Sequence, residues 1–385
     1  MRIHLLKMKI GFDLRPFLRE ETGVGIYFRN LLIQLAEMDQ NNEYFLFSSS
    51  WKDRFEPSRV PPFRRMQFRD FRWPVRAVNF FWHNCGCPRL DFFFRTKLDL
   101  THSPTPLILP TAGKKVVTVC DLFFLDFPGK ADREARRSFL KKTKSALERA
   151  DGIVTISRFT QDAVRERFGL DERKMRVTYL GLSPVFNEAV SPDELEETRR
   201  TFGLPPEFVL FVGATEPRKN LLNLVEALRI LHQKKRNTAL VIVGRKGGDH
   251  ENLKKRISAC GLESRVKILG YLPEKELKCL YHLAAVFTFP SYCEGFGLPL
   301  LEAMACGVPV VASGVAALPE VARDAAIYFR PDEPEDIADQ ILLVLEDENL
   351  RRALKERGKK RAQDFSWKKT AAETLEFYRT LLENR

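Results

Sequence analysis

Short apolar runs alternate with stretches in which apolar positions recur every third or fourth residue, most regularly after position 207. There the pattern predicts strands at 208–213, 239–243, 266–269, 285–290, 308–312 and 326–329. Between and after them it predicts helices at 220–232, 250–260, 274–284, 317–323, 334–347 and 349–363. A further short helix opens at Leu298 and Pro299 and closes at Gly307, with proline where its missing N–H costs nothing. Strict strand–helix alternation of this kind predicts a doubly wound parallel sheet.

The first half is less regular. Strands are predicted at 8–13, 44–48, 98–101, 116–119, 152–156 and 174–181, with a helix ending about Glu37 and another over 133–150. Ser157 is placed to cap the helix that follows it. Residues 51–97 show no clear period and are rich in Arg, Phe, Trp and Pro. A proline-bearing linker and crossing helix lie before residue 207, and a last helix follows Phe365-Ser366-Trp367. The expected division is 1–183, a linker 184–206, a second domain 207–364 and a terminal helix 365–385 that crosses back to the first domain.

A chain of 385 residues suits two domains, and 44% hydrophobic with 30% charged residues is the composition of a globular protein with a full core. No run of eighteen apolar residues occurs, and the apolar part of the N-terminus is too short for a signal peptide, so a cytoplasmic location is expected. The seven cysteines are odd in number and scattered, which suits reduced thiols, and none has the partners of a zinc site. No structural metal is expected.

The net charge of +12 is concentrated in two segments. Residues 52–76 and 130–149 each carry eight Lys/Arg against three Asp/Glu. No nucleic-acid motif accompanies the charge, so the expected partner of these segments is an anionic membrane surface or a lipid-linked acceptor. In 63–82 the cations Arg64, Arg65, Arg69, Arg72 and Arg76 interleave with Phe63, Phe68, Phe71, Trp73, Phe80, Phe81 and Trp82. That mixture suits docking at lipid head groups, and equally an aromatic core.

The densest chemistry lies in Phe289-Pro-Ser-Tyr-Cys-Glu-Gly-Phe-Gly-Leu-Pro-Leu-Leu-Glu302. Strand, glycine turn and helix start aim backbone N–H groups and the positive end of a helix dipole at an anion such as a phosphate. Glu294 in the turn and Glu302 one turn into the helix are acceptors only, and the natural partners of such acceptors are paired hydroxyls of a sugar or ribose. Together they read as a nucleotide-sugar site, although an exposed helical glutamate is usually solvated and a G-x-G turn is often only a turn. After strand 208–213 comes Gly213-Ala-Thr-Glu-Pro-Arg218-Lys219, a planar fork and a point charge at a strand end, suited to clamping a diphosphate or else to solvent.

These two stretches resemble the retaining GT-B glycosyltransferases of family four, which carry a pair of glutamates around a glycine–proline turn and Glu-Pro-Arg-Lys before a helix. The resemblance extends over nearly the whole chain and is tightest over 208–313. It implies a GT-B architecture, two Rossmann-like doubly wound domains facing a cleft, and metal-independent transfer of a hexose from a nucleotide diphosphate sugar to a glycan or lipid-linked acceptor. Glu294 is then expected to hold the donor sugar and Glu302 the ribose, with Arg218 and Lys219 on the diphosphate. Gly213, Gly295, Phe296, Gly297 and Leu298 would line the donor site, and Arg245 at another strand end either joins them or faces solvent. The N-terminal half resembles the mannosyltransferase-like subset, which favours GDP-mannose.

On the acceptor side the resemblance implies that the Gly23-x-Gly25-x-Tyr27 turn faces sugar and acceptor. The polar groups His102, Cys120 and Asp121 end two strands and point the same way. Family members follow the strand Val-Val-Thr-Val with His-Asp, the imidazole reaching the transferred sugar; here the pair is Cys120-Asp121. His102 or Asp121 supplies that contact, or turnover is slow or absent and the chain binds a nucleotide sugar or glycan without transferring it. Phosphorylase chemistry would need a cofactor-bearing lysine motif, which the sequence lacks.

Overall fold

The computed structural model describes residues 7–15, 23–53, 55–56, 61–123 and 133–383. Thr22 of the predicted glycine turn, and Arg54, Arg59 and Lys130 of the basic segments, lie outside the described residues, as do the first six positions. The chain divides into two units: Met1–Gly181 with Trp367–Arg385, and Leu182–Ser366.

The first unit is built on seven parallel strands in the order β3-β2-β1-β4-β5-β6-β7. They are β1 (Lys9–Asp13), β2 (Glu43–Ser49), β3 (Met66–Phe71), β4 (Leu100–Ser103), β5 (Lys114–Val119), β6 (Gly152–Thr155) and β7 (Met175–Val177). Its helices are α1 (Gly23–Met38), α2 (Val75–Asn84), α3 (Leu90–Phe94), α4 (Arg133–Arg149) and α5 (Arg158–Phe168). The central strands are buried on both faces, which is why they read as unbroken apolar runs. Ser157 caps α5 by accepting from Thr160 N at 3.1 Å. The segment without a clear period contains β3, α2 and α3. There Trp82, Phe93 and Phe94 pack with Phe45 and Phe47 into a core.

The second unit has six parallel strands in the order β10-β9-β8-β11-β12-β13. These are β8 (Phe208–Val212), β9 (Ala239–Val243), β10 (Val266–Gly270), β11 (Val286–Phe289), β12 (Val310–Ser313) and β13 (Ala326–Phe329). The helices are α6 (Pro192–Phe202), α7 (Leu221–Gln233), α8 (His250–Ala259), α9 (Glu274–Leu283), α10 (Leu298–Ala305), α11 (Leu318–Ala322), α12 (Pro334–Glu346) and α13 (Glu348–Ala362). Ser191 and Glu194 cap α6 reciprocally, each side chain accepting from the other residue's backbone N–H. In both sheets the order reverses beside the first strand, between β1 and β4 and between β8 and β11. The carboxyl ends of those strands are where open α/β sheets bind ligands.

The last helix, α14 (Trp367–Glu383), belongs to the first unit and packs on α1. Thr370 on it donates from its hydroxyl to the Tyr179 carbonyl at 2.6 Å.

Candidate active site

In the second unit, two loops at the strand-order reversal are tied together by backbone and side chain. A 3₁₀ turn, Pro217–Lys219, follows β8, and Tyr292 N in the loop after β11 donates to the Arg218 carbonyl at 2.9 Å. Asn220 takes a left-handed conformation, φ 56°, which asparagine tolerates better than most residues. Its amide then donates to the carbonyls of Pro290 (3.1 Å) and Pro331 (2.7 Å).

These ties bring Glu294 against both cations. Lys219 Nζ donates to Glu294 Oε1 at 2.5 Å and Arg218 Nη1 to Oε2 at 3.0 Å, while Arg218 Nε reaches Glu216 at 2.8 Å. Lys219 is 6% exposed and Glu294 8%. The Lys219 ammonium also sits over the Phe289 ring, 4.9 Å from its centre. Burial pushes the Glu294 carboxyl up, but the charges of Lys219 and Arg218 outweigh it and leave the carboxyl below its usual value. Burial draws the Lys219 ammonium down, with Glu294 opposing.

Gly297 precedes α10 at φ 97°, and a Cβ there would lie 2.7 Å from Leu318 Cδ2, so both backbone and space require glycine. No side chain caps the first turn of α10. One turn in, Glu302 accepts from the Tyr281 hydroxyl at 2.9 Å, and burial pushes its carboxyl up to about 7. Arg245, past β9, lies over the Tyr271 ring at 4.9 Å. Gly213 ends β8, its N–H donating to Val243 at 2.8 Å. Phe296, predicted among the donor-site residues, is 2% exposed and packs edge-on against Phe365, so its side chain is core; Gly295 beside it is also buried.

The acceptor-side residues sit differently. Gly23 and Gly25 lie inside the first turns of α1 rather than in a turn before it. Tyr27, predicted to face sugar and acceptor, is fully buried, its hydroxyl 3.2 Å from Thr118 Oγ1. His102, predicted to face the sugar from a strand tip, is also fully buried. Its Nε2 meets Thr118 Oγ1 at 2.7 Å and its Nδ1 the Tyr378 hydroxyl at 2.5 Å. The rings of Phe12 and Phe28 flank it. Both nitrogens are occupied, and burial pushes the imidazole down to about 3, so it stays neutral and has no lone pair or N–H left for a sugar. Cys120 is half-buried and lies beside Asp121; burial first, and the Asp121 charge second, push its thiol up. Asp121 Oδ1 accepts from Phe123 N at 3.3 Å.

Two features have no clear signal in the sequence. Tyr281 reads as an ordinary core position of an amphipathic helix. Arg15, beyond β1, pairs with Asp13 (Nη2 to Oδ2, 2.7 Å), donates to Asn79 at 2.8 Å and lies over Trp82 at 4.5 Å. Among the described residues, no group of three or more His, Cys, Asp and Glu is placed to hold a metal ion. All seven cysteines are free thiols.

Comparison with known proteins bears on both units. The family profile "Glycosyl transferases group 1" matches residues 194–361, and "Glycosyltransferase Family 4" matches residues 22–185. The chain is 28% identical over 400 aligned positions to O-antigen chain mannosyltransferase B of Escherichia coli, covering 97% of this chain and all of that protein. It is 30% identical over 256 positions to the serotype-specific mannosyltransferase WbdA of the same organism, covering 64% of this chain and 31% of that protein. In fold it matches sucrose-phosphate synthase from Thermosynechococcus elongatus with a TM-score of 0.78 at 22% identity, over 98% of this chain and all of the other. The architecture is GT-B.

Proposed function

We propose that this chain, which belongs to the group 1 glycosyltransferases of family 4 and is thus a retaining enzyme using a nucleotide-sugar donor, transfers mannose from GDP-mannose to a glycan or lipid-linked acceptor without a metal. The observation that carries the chemistry is the cluster of Lys219 and Arg218 on Glu294 beside the first turn of α10. Departure of a nucleoside diphosphate builds negative charge on its oxygens, and fixed donors stabilise that charge without reorganising. Lys219 and Arg218 set positive charge beside the diphosphate while Glu294, aligned by both, accepts hydroxyls of the donor sugar. Glu302 accepts the ribose diol. The sugar itself is proposed from the full-length similarity to an O-antigen chain mannosyltransferase.

The test is a panel of nucleotide sugars assayed for transfer and hydrolysis with and without a chelator. GDP-mannose turned over at an unchanged rate in chelator is the expected result. Preference for another donor, or activity abolished by chelation and restored by a divalent cation, contradicts it. A second reading, donor binding with little turnover, is favoured by one observation: Cys120 offers a thiol where an imidazole would reach the sugar, and His102 is not positioned to replace it. Donor binding without measurable turnover across the panel would establish that reading.

The proposal also places the first unit at an anionic membrane surface. Phe80 (60% exposed), Phe81 (48%), Trp73 (44%) and Phe92 (70%) stand out of α2, α3 and their approach, among the exposed Arg64, Arg69, Arg72 and Arg76. Arg149, at the end of the basic α4, reaches the His83 carbonyl on α2 at 3.5 Å, which sets that end of α4 beside the helix bearing Phe80 and Phe81. Phe63 and Trp82 belong to the core. No helix of the described residues is long and apolar enough to cross a membrane. Binding to vesicles containing anionic lipid is expected to weaken with salt and with a Phe80→Ser, Phe81→Ser double variant. Equal binding to neutral and anionic vesicles contradicts this placement.

A further inference from the structure

We infer that Tyr281 is a positioning residue for the donor: its phenol holds the Glu302 carboxylate ready to accept the ribose diol, and protonation of that carboxylate switches the contact off. The inference rests on the reading of Glu302 as the ribose acceptor.

The geometry is specific. Tyr281, fully buried on α9, has one hydroxyl proton and two acceptors in reach, Glu302 Oε2 at 2.9 Å and the Pro299 carbonyl at 3.1 Å. Pro299 lies in the first turn of α10 and Glu302 in the next, so one phenol spans the part of the helix that bears the carboxylate. The ring is itself fixed, edge-on to Phe186 at 5.9 Å and to Phe287 at 5.7 Å. When Glu302 is ionised, the phenol donates to it, fixes its rotamer and leaves its other oxygen to accept a hydroxyl. When Glu302 is protonated, it carries an O–H of its own, and the phenol proton can turn to Pro299.

The groups around Glu302 do not hold it ionised. From α9 the facing groups are Tyr281 and Glu274, the latter already accepting from Ser183 at 2.8 Å. At the end of α10 stands the Cys306 thiol. Lys278 of α9 and Lys359 of α13 act on Cys306, and Lys278 pairs with Glu188 at 3.3 Å. The 3₁₀ turn Pro184–Asn187 packs Phe186 against Tyr281, and Leu318 of α11 lies beside Gly297 at the start of α10. Burial therefore dominates, and the carboxyl titrates at about 7, against 4.5 for an ordinary glutamate, with the Tyr281 hydrogen bond pulling the other way.

The experiment measures the affinity of GDP-mannose, whose esterified diphosphate keeps its charge through the neutral range, from pH 5.5 to 8.5 for wild type, Tyr281→Phe and Glu302→Gln. Because affinity scales with the fraction of competent protein, wild type should bind up to about tenfold more tightly at pH 8 than at pH 6. Tyr281→Phe should move the midpoint to higher pH, weaken binding at pH 7 and recover most of the loss at pH 8.5. Glu302→Gln should be weak and flat throughout. A flat wild-type profile overturns the inference even if Tyr281→Phe fails to fold. So does a Tyr281→Phe profile with an unmoved midpoint, whether its affinity is unchanged or lowered equally at every pH, as a packing defect would give. Wild-type binding by Glu302→Gln would instead defeat the ribose assignment itself.

Discussion

The loop after β11 brings Glu294 to Lys219 and Arg218, whereas the ends of β4 and β5, in the equivalent part of the other sheet, bring His102 and Thr118 to Tyr378 and Tyr27. The two sheets reverse strand order in the same way, so topology offers each a ligand site at the same kind of place. What differs is how the polar groups are satisfied. Around His102 both hydrogen-bond partners are neutral, both ring nitrogens are occupied and the imidazole is sealed from solvent; such a network fixes a unique packing of α14 on the first unit. Around Glu294 one carboxylate serves two cations, so positive charge is gathered at the loop rather than neutralised pair by pair. Equivalent positions on related folds thus carry a closed neutral network in one unit and a charged cluster in the other, to which the proposed chemistry is assigned.

The comparison is broken most forcefully at Lys219. If Lys219 stabilises the leaving diphosphate as proposed, Lys219→Ala should cut turnover about 10²–10³-fold. Free nucleoside, lacking the diphosphate, should bind the variant almost as well as wild type. A steady-state assay at saturating donor, paired with a nucleoside titration, checks both statements.

The neutral network should answer in stability instead. Tyr378→Phe leaves His102 Nδ1 without its partner inside the core, and a buried polar group stripped of its hydrogen bond costs about 1–3 kcal/mol. Thermal denaturation should show a lower Tm, with turnover at a permissive temperature near that of wild type.

A smaller effect separates the two regions by pH. His102 titrates at about 3 when folded and about 6.5 when unfolded, so its contribution is complete above pH 6.5 and lost as pH falls toward 3, because the unfolded chain then binds the extra proton. The loss is at most about 1.4 kcal/mol per pH unit. His102→Gln should therefore show a shallower fall of Tm between pH 6.5 and 4 than wild type, whatever its stability at pH 7. Parallel curves would mean that His102 is not held neutral.

The fold was largely legible because most of its strands are buried on both faces and appear as uninterrupted apolar runs, as β8, β9, β11 and β12 of the second unit do; the half-buried β10 and β13 stand out by their place in the strand–helix alternation. Strand β3 escaped because it is an edge strand, partly exposed, with Gln67, Arg69 and Asp70 breaking its run. The donor-side candidates were legible as a group because Glu294, Gly297 and Glu302 lie within one local turn and helix. Tyr281 was not, since its bond to Glu302 joins two helices and a tyrosine on a helix face looks like core. His102 misled for the complementary reason: a polar residue at a strand end suggests a ligand, while the group that satisfies it, Tyr378, lies 276 positions away. Sequence reasoning sees local motifs and burial period; it does not see which distant hydroxyl closes a network.

The central claim is that the chemistry resides in the Lys219–Arg218–Glu294 cluster and that the His102 network is structural. It is tested most directly by measuring turnover of the best donor and Tm together for wild type, Lys219→Ala and Tyr378→Phe. The account predicts that Lys219→Ala loses about 10²–10³-fold in turnover, and that Tyr378→Phe melts lower yet transfers at nearly the wild-type rate. The reverse pattern, with Lys219→Ala active and a folded Tyr378→Phe inactive, would contradict it.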